Sequence, residues 1–335
     1  MSLQYLIFPV MIAFCLQALL VMATDLPDRN SAQSCLRPYL NRGPEEQTQV
    51  PWEHCIGRVE DKQALSLLKK GQYQEAAWTL DEGNTQTTQE QAELILWFLE
   101  TLMRDAAVGD SDISKLGMGG ATKPMSVILP LGVHGVFKKK RLFHPSSSYR
   151  SEIAAYRLDR LFRFRLVPMT IKRHIAGHKG SLQYFIRGAK TASHIHGYRK
   201  SPNLNVFDYL IRNRDRNSDN ILITKGREIA IDHGLCLRRF SILGCCLAYT
   251  DQIKKSLGVW SHPVRQHVLH PSTHIREFVA SGHILRKMER ILYHDLHHEL
   301  SDLISKHQIA EIEYRKTRLL DYLYKAGFLR KFSGM

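Results

Sequence analysis

The apolar positions before residue 213 repeat at helical spacing, whereas those after residue 220 form two short runs. The helical face consists of Val206, Phe207, Leu210 and Ile211. The runs at 221–224 and 229–231 are separated by the turn sequence Lys225-Gly226. This pattern predicts a helix, a polar loop and a β-hairpin, in that order along the chain.

Upstream, the spacing of the apolar residues changes from two strand-like runs to a helical repeat. Residues 125–131 and 133–139 are apolar runs on either side of Gly132, and they predict two strands. An amphipathic helix is predicted to follow, opening at Glu152. Its apolar positions are Ile153, Tyr156, Leu158 and Leu161.

Helical periodicity dominates both ends of the chain. Before the first predicted strand, helices are predicted at 61–71, 74–80 and 89–107. Beyond residue 240 they are predicted at 275–292, 294–307 and 309–329. The strands are therefore expected to lie between two helical regions.

Oxygen-bearing side chains stand at both ends of the predicted hairpin. Asp215 lies in the polar loop, Asn220 precedes the first strand, and Asp232 follows the second. Folding the hairpin brings its ends together, so the three side chains converge. Phosphoryl transfer uses such a set, because one Asp orients the acceptor hydroxyl while an Asn and a second Asp hold metal ions on the phosphates. The alternative is an Asn/Asp-rich turn beside an ordinary hairpin.

A lysine for the nucleotide phosphates and a helical glutamate that holds it complete such a site. Lys138 ends the second predicted strand and Glu152 opens the predicted helix, so they occur in the expected order. Lys138 is preferred over the next two lysines because it directly follows an apolar pair, although alternation alone leaves all three open. The alternatives are a solvated basic run and a glutamate that interacts with the helix dipole.

Gly119 and Gly120 are candidates for a loop that covers the nucleotide phosphates. They lie in the sequence Lys115-Leu-Gly-Met-Gly-Gly-Ala-Thr-Lys123. Glycines allow close approach of the backbone to an anion, and successive amides can form a cradle. A flexible connection to the first strand is the other interpretation.

Two longer runs resemble atypical kinases. Residues 152–168 resemble the helix and following strand of the secretory-pathway kinases, which include the Golgi casein kinase and the Four-jointed-like kinases. Residues 208–220 resemble the type II phosphatidylinositol 4-kinases, which belong to the phosphatidylinositol 3-/4-kinase-like superfamily. Asn220 matches the lipid kinases and the Four-jointed-like members but departs from the Golgi casein kinase. The resemblance extends over residues 115–240.

The resemblance implies an α+β, bilobal protein-kinase-like fold. Residues 111–190 would form an antiparallel-sheet N-lobe, and residues 191–335 a mainly helical C-lobe. Residues 24–110 would form an N-terminal extension, a small helical appendage.

The resemblance also implies ATP and Mg²⁺ or Mn²⁺ as cofactors. Lys138 would contact the ATP phosphates, and Glu152 would pair with that lysine or assist the metal. Asp215 would be catalytic together with Asn220. Asp232 would bind metal, with Asn220 as a second ligand.

These expectations indicate an ATP- and metal-dependent phosphotransferase that transfers the γ-phosphate to a hydroxyl. The preferred acceptor is Ser or Thr of an exported or acidic protein. A phosphatidylinositol kinase is the alternative, because Asn220 and its neighbours resemble the lipid kinases. A catalytically inactive pseudokinase scaffold is the second alternative, and the retention of all five polar site residues argues against it.

The N-terminus indicates the compartment. Residues 3–22 are almost continuously apolar and Ala23 suits cleavage, which predicts a signal peptide at 1–23. An uncleaved anchor is the alternative. Cleavage would leave no membrane span and a secreted or extracytoplasmic protein, in a periplasm or a secretory-pathway lumen. Cys35 and Cys55 bracket a stretch with little periodicity, and we predict a disulfide between them.

Charge adds a constraint on partners. Residues 24–110 contain 15 Asp/Glu and 8 Lys/Arg, a net charge of −7, whereas residues 111–335 contain 17 and 39, a net charge of +22; the two sum to the chain's +15. A basic surface favours an acidic protein substrate or an anionic lipid headgroup. Nucleic acid is not expected, because no nucleic-acid-binding motif accompanies the charge. A monomer is the default expectation, and the sequence does not fix an oligomeric state.

Overall fold

The structure is a computed structural model that describes residues 29–40, 50–83, 85–116, 123–140, 148–213, 215–237 and 279–329. Contacts divide the chain into two compact units. One contains the residues up to Asp112 together with Ile128–Val133, and the other contains Ile113–Val127 and the chain from His134 onward. The predicted signal peptide lies outside the described residues. Among the helices that are described, none is both long and apolar enough to cross a membrane.

The first unit is helical. Its helices are α1 (Arg29–Leu40), α2 (Trp52–Ile56), α3 (Lys62–Lys69), α4 (Tyr73–Glu82) and α5 (Gln86–Asp105). Trp52, Tyr73 and Phe98 form an aromatic cluster with ring centroids 5.1–6.0 Å apart. Edge-to-face contacts of this kind stabilise a core beyond the area that the rings bury. A disulfide joins Cys35 in α1 to Cys55 in α2, which confirms the predicted pairing.

Side-chain caps explain where these helices begin. Asp61 accepts a hydrogen bond from the backbone N–H of Ala64 (2.7 Å), so α3 starts one residue later than predicted. Thr85 accepts from the N–H of Thr88 (3.1 Å), so α5 starts three residues earlier than predicted. A capping oxygen satisfies a backbone donor that has no partner inside the helix. The apolar period therefore located the helices, and the caps set their ends.

An antiparallel five-stranded sheet follows. Its strands are β1 (Ile113–Lys115), β2 (Met125–Leu129), β3 (Val133–Lys139), β4 (Thr170–Ile175) and β5 (His178–Tyr184). The spatial order is β1-β2-β3-β5-β4. The two strands predicted around Gly132 are β2 and β3, and β2 ends two residues before the predicted limit. Helix α6 (Tyr149–Phe162) connects β3 to β4 and packs on β4 and β5.

Helix α6 ends in a turn that a buried carboxylate holds. Arg163 takes a left-handed conformation (φ 58°) and closes the helix. The carboxylate of Asp159 accepts a hydrogen bond from the backbone N–H of Leu166 at 2.8 Å. Burial raises the pKa of Asp159 to about 7, and the surrounding backbone donors oppose that rise. The carbonyl of Leu166 then accepts from the N–H of Ala230 at 2.8 Å, which ties this turn to the hairpin downstream.

The hairpin and its preceding helix are close to the predicted pattern. Helix α7 (Pro202–Leu210) starts at the cap Ser201, earlier than the apolar face indicated, and ends before Asn213. A three-stranded sheet follows, in the order β6 (Lys190–Thr191), β7 (Ile221–Thr224), β8 (Arg227–Ala230). The predicted turn, Lys225-Gly226, joins β7 to β8 with both residues at positive φ (49° and 77°).

The C-terminal helices are α8 (Gly282–Arg290), α9 (Tyr293–Leu300) and α10 (Lys306–Lys325). The helix predicted over 294–307 ends earlier, at Leu300, and Ser305 caps a new helix with Gln308 in a capping box. Arg157 of α6 donates to the carbonyl of Glu299 (2.7 Å), and Arg315 of α10 donates to the carbonyl of Leu210 (2.9 Å). These contacts hold α6 and α7 from the side of the C-terminal helices. The sheets and helices together confirm the predicted α+β class.

Gly180 in β5 should be intolerant of a side chain. A Cβ at this position would lie 2.2 Å from the carbonyl oxygen of Lys138 and 2.8 Å from the Phe137 ring. We expect Gly180→Ala to lower the free energy of unfolding by about 3 kcal/mol, because β3 and β5 must separate to admit the methyl group. Denaturant titration of the purified protein measures the change.

Gly177 in the turn between β4 and β5 is the matched control. A Cβ there meets nothing within 4 Å, and only its positive φ of 72° opposes substitution. Gly177→Ala should therefore cost about 1 kcal/mol. Equal losses in the two variants would contradict the close approach of β3 to β5.

Candidate active site

The loop between α7 and β7 is shaped by its own amide side chains. Asn213 Oδ1 accepts from the backbone N–H of Asp215 at 3.0 Å. Asn217 Oδ1 accepts from the N–H groups of Asp219 (2.9 Å) and Asn220 (3.0 Å). Such Asx turns replace regular secondary structure with local hydrogen bonds. They fix the backbone that carries the predicted catalytic residues.

The register of the hairpin brings both ends of the loop together. Ile221 pairs with Ala230, and the N–H of Ile231 donates to the carbonyl of Asn220 at 3.1 Å. Asn220 Nδ2 donates to the carbonyl of Asp215 at 2.6 Å. Asp232 follows directly after Ile231. The structure thus brings together Asp215, Asn220 and Asp232, the three residues that the sequence spacing linked.

Lys138 meets two carboxylates. Its Nζ lies 2.6 Å from Oε1 of Glu152 and 2.9 Å from Oδ1 of Asp232. Glu152 is 2% exposed at its side chain, whereas Asp232 is 42% exposed. A cation from β3, a carboxylate from α6 and a carboxylate after β8 therefore meet at one point. The two lysines that follow Lys138 take no part in this contact.

Electrostatics favour the charged forms of Lys138 and Asp232. Burial on its own lowers the pKa of Lys138, but the Glu152 and Asp232 carboxylates outweigh it and raise that pKa above its ordinary value. Burial would raise the pKa of Asp232, and the Lys138 ammonium outweighs it, so the pKa of Asp232 is lowered. Opposite charges at such short range favour the ionised form of both partners.

The second oxygen of Glu152 is also engaged. Oε2 accepts from the backbone N–H of His233 at 3.0 Å. At the start of α6, the N–H of Ser148 donates to the carbonyl of Gly234 at 2.9 Å. Both oxygens of Glu152 thus have protein donors, an arrangement that suits the predicted pairing role. The metal role of Glu152 stays a prediction.

Arg216 is a site residue that the sequence reasoning missed. Its side chain is 3% exposed, and Nε lies 3.1 Å from Oδ1 of Asp208. Nη1 donates to the carbonyls of Asn220 (2.8 Å) and Ile231 (2.6 Å). Nη2 lies 2.8 Å from Nε2 of His233. One guanidinium therefore joins α7, the loop and the end of the hairpin.

His233 is fully buried and links this arginine to Glu152. Burial lowers its pKa well below the ordinary value, and the charges of Arg216 and Lys138 lower it further, so the ring is neutral. Because Arg216 donates to Nε2, the ring hydrogen is on Nδ1. Nδ1 lies 3.8 Å from Oε2 of Glu152 and has no hydrogen-bond partner among the described residues. The ring contacts Phe207 edge to face, with centroids 5.9 Å apart.

Asp208, Arg216 and His233 left a faint sequence signal. Asp208 and Arg216 belong to the run 208–220, and His233 directly follows Asp232, but the residues around them have the composition of a solvated turn. Asp208 and Arg216 are eight residues apart and can form an ion pair only because α7 ends between them. The spacing could therefore have suggested the pair, but not its burial.

Asp232 has a backbone conformation that non-glycine residues rarely adopt. Its φ is 56°, in the left-handed region. Such strain persists where the surroundings fix it and is frequent at functional sites. Here the hydrogen bonds of Ile231 and His233 on either side hold it in place.

The donor set suits a hard divalent cation that binds with nucleotide. Among the residues described, no group of three or more His, Cys, Asp or Glu could hold a metal ion. Mg²⁺ in phosphotransferases is bound by one or two carboxylates together with phosphate oxygens and water. Asp232 and the amide of Asn220 offer that partial set. Gly119 and Gly120, the predicted phosphate loop, lie outside the described residues.

Asp215 has the environment of a proton acceptor. Burial raises the pKa of its carboxyl, and the nearby charge of Asp232 raises it further. Arg216 and the side chains of Asn220 and Asn217 oppose the rise. A raised pKa makes a carboxylate a stronger base than an exposed aspartate.

Loss of the Arg216 side chain should destabilise the protein. We expect Arg216→Met to lower the free energy of unfolding by about 3–5 kcal/mol, because it removes the buried cation that pairs with Asp208 and donates to two carbonyls. Arg212→Met is the control, since Arg212 is 37% exposed and lies 3.6 Å from Glu311. That change should cost about 1 kcal/mol or less. Urea titration of both variants measures the difference. Similar losses of unfolding free energy would contradict a structural role for the buried Arg216 contacts.

One family model matches part of the chain. Residues 171–248 match the family model "Phosphatidylinositol 3- and 4-kinase", and this range contains Asp215, Asn220 and Asp232. No curated protein sequence matches the chain.

Several solved structures are similar to the chain. The Golgi casein kinase with Mn/ADP bound has a TM-score of 0.42 at 13% identity, covering 69% of this chain and 75% of that one. A second Golgi casein kinase structure has a TM-score of 0.43 at 12% identity, with 87% and 94% covered. The Helicobacter pylori proinflammatory kinase CtkA has a TM-score of 0.43 at 14% identity, with 68% and 97% covered. The predicted resemblance to atypical kinases is confirmed.

Proposed function

We propose that this chain is an ATP- and metal-dependent phosphotransferase whose acceptor is a Ser or Thr hydroxyl of a protein. The observation that carries the proposal is the meeting of Lys138 with Glu152 and Asp232, at 2.6 and 2.9 Å. A lysine on a strand, a glutamate on the following helix and an aspartate after the hairpin are the parts that kinases use to hold nucleotide and metal.

Each residue then has a defined task. Glu152 holds Lys138 so that its ammonium faces the nucleotide phosphates. Asp232 and Asn220 would hold the metal, which when bound would neutralise charge on the phosphates. Asp215 accepts the proton of the acceptor hydroxyl as that oxygen attacks the γ-phosphorus of ATP, while the β,γ-bridging P–O bond breaks and ADP leaves with its electron pair. Most of the catalysis is positioning and charge stabilisation, since the transferred group needs little covalent assistance.

Metal and Lys138 compete for Asp232 in this scheme. The carboxylate that would bind metal is the one whose Oδ1 already accepts from Lys138. Nucleotide would give the ammonium another anionic partner while Glu152 retains it. Binding of metal and binding of nucleotide should therefore favour each other.

A phosphatidylinositol kinase is the second candidate. It is favoured by the family model matched over residues 171–248, which is that of lipid kinases. A scaffold without activity is the third, and the complete set of polar site residues opposes it. The proposal also places the protein in an oxidising compartment, which the Cys35–Cys55 disulfide supports.

Radiolabelled ATP distinguishes these candidates. The protein is incubated with Mg²⁺ or Mn²⁺ and either an acidic Ser-containing protein or phosphatidylinositol vesicles. Lys138→Met, Asp215→Asn and Asp232→Asn should each lower transfer by at least about 100-fold, since each removes a group that acts on the reacting phosphate or hydroxyl. Lys139→Met is the matched control and should retain transfer.

The outcomes separate clearly. Transfer to vesicles alone would establish the lipid kinase, and nucleotide binding without transfer would establish the scaffold. Transfer that survives Asp215→Asn would remove Asp215 from the mechanism.

The pH dependence of transfer should show an acid limb. Only the ionised form of Asp215 accepts a proton, so activity is lost as pH falls through its pKa. Because that pKa is raised, the limb should lie above the ordinary value of 3.8. A series of kcat/KM values against pH measures it, with tryptophan fluorescence to exclude unfolding. Asp219→Asn, an exposed change in the same loop, should leave the limb in place, and a limb below 3.8 would refute the assignment.

A further inference from the structure

Residues 160–207 contain no Asp or Glu. The chain has 32 Asp/Glu among 335 residues, which would place between four and five in a stretch of 48 residues. The same stretch carries ten Lys/Arg and four His. Its C-terminal part, residues 187–200, is called the cationic ridge below. Six of its residues are exposed cations or histidines: Arg187, Lys190, His194, His196, Arg199 and Lys200.

Three contacts fix the ridge beside the catalytic loop. Lys190 of β6 pairs with Ile223 of β7, the strand that begins directly after Asn220. The turn Ala192–His194 contacts the turn Ser218–Asn220. Lys200 Nζ donates to the carbonyl of Arg216 at 3.0 Å, one residue after Asp215. The exposed cations therefore stand next to the proposed proton acceptor.

Two carboxylates close to the ridge are already engaged. Glu228 accepts from the hydroxyl of Tyr198 (2.6 Å) and from the backbone N–H of Ser201 (2.8 Å). Asp208 is held by Arg216. Neither Lys190 nor Arg199 forms an ion pair with any residue that the structure describes. The positive charges of Lys190 and Arg199 are thus available to an external anion.

The partner that fits is an acidic polypeptide segment. The ridge presents its cations along 14 residues, which suits several carboxylates spaced along an extended chain. A membrane surface would call for exposed large apolar side chains that insert between lipids. Phe185, 37% exposed, is the one such residue adjoining the ridge among those described.

We propose that the cationic ridge selects acceptor polypeptides whose Ser or Thr is flanked by acidic residues. This inference rests on the proposed phosphotransfer, and it names the surface that chooses the acceptor. Complementary charge increases the association rate and excludes basic sequences, and it weakens with salt.

A peptide-binding measurement tests the ridge without requiring activity. A labelled peptide rich in Asp and Glu, with Ala at the acceptor position, is titrated with the full protein and followed by fluorescence anisotropy. A peptide with Asn and Gln in place of the acids is the neutral comparison. The double variant Lys190→Glu/Arg199→Glu should weaken binding of the acidic peptide by roughly tenfold or more and leave the neutral peptide unaffected. Raising the salt concentration should reduce the difference.

The control is a double charge reversal away from the ridge. Lys62 and Lys306 are exposed and begin α3 and α10, where a glutamate is compatible with the helix dipole. Lys62→Glu/Lys306→Glu should bind the acidic peptide as the unmodified protein does. Circular dichroism and nucleotide binding should be unchanged in both double variants.

The Ser form of the acidic peptide then tests selection during transfer. The ridge variant should raise KM for this peptide by a similar factor without changing KM for ATP. Unchanged peptide binding in the ridge variant, or an equal loss in the control, would overturn the proposal. If the ridge variant lost binding to phosphatidylinositol vesicles but kept binding to the acidic peptide, the proposal would be overturned in favour of a lipid surface. Absence of transfer to every acceptor would refute the proposed function, while the anisotropy result would still decide the ridge.

Discussion

The guanidinium of Arg216 is buried, so its N–H donors need hydrogen-bond acceptors. Burying a guanidinium without acceptors would cost several kcal/mol of folding free energy. Asp208 supplies a charge, Asn220 and Ile231 supply carbonyls, and His233 supplies a ring nitrogen. These acceptors come from a helix, a loop and the end of a strand. The need to satisfy one cation therefore fixes the relative positions of the segments that carry the candidate acidic residues.

Glu152 extends this arrangement to the five-stranded sheet. One of its oxygens holds Lys138 of β3, and the other accepts from the backbone of His233. The Arg216 contacts and the Lys138 contacts thus meet at two neighbouring residues, Asp232 and His233. A displacement of the hairpin would disturb both. This coupling gives a physical reason why nucleotide and metal should bind together.

Charge is arranged differently on the two sides of the candidate site. Inside, each cation is matched by buried or half-buried carboxylates, so the interior is compensated. Outside, Lys190 and Arg199 of the cationic ridge form no ion pair with a described residue, and Glu228 already accepts from Tyr198 and Ser201. The proposed binding of phosphate inside and of an acidic chain outside would therefore depend on different residues.

Local signals determined what the sequence could predict here. The strands of the hairpin and the turn Lys225-Gly226 were predicted within two residues, because apolar runs and a glycine turn are properties of adjacent residues. Helix ends were displaced where caps such as Thr85 and Ser201 override the apolar period. The pairing of β4 with β5 was not predicted in detail, since this basic stretch lacks clean alternation.

The candidate site shows the same distinction between local sequence signals and long-range contacts. The sequence by itself determined the types and order of Lys138, Glu152, Asp215, Asn220 and Asp232, because each occupies a recognisable place relative to a helix or strand. Only the tertiary structure decided which of three consecutive lysines meets Glu152, since that depends on how β3 is placed against α6. It also decided the burial of Arg216, whose polar neighbours suggest a solvated loop until the hairpin folds over them. Contacts between residues distant in sequence carry no local pattern, and they are what turned these residues into one site.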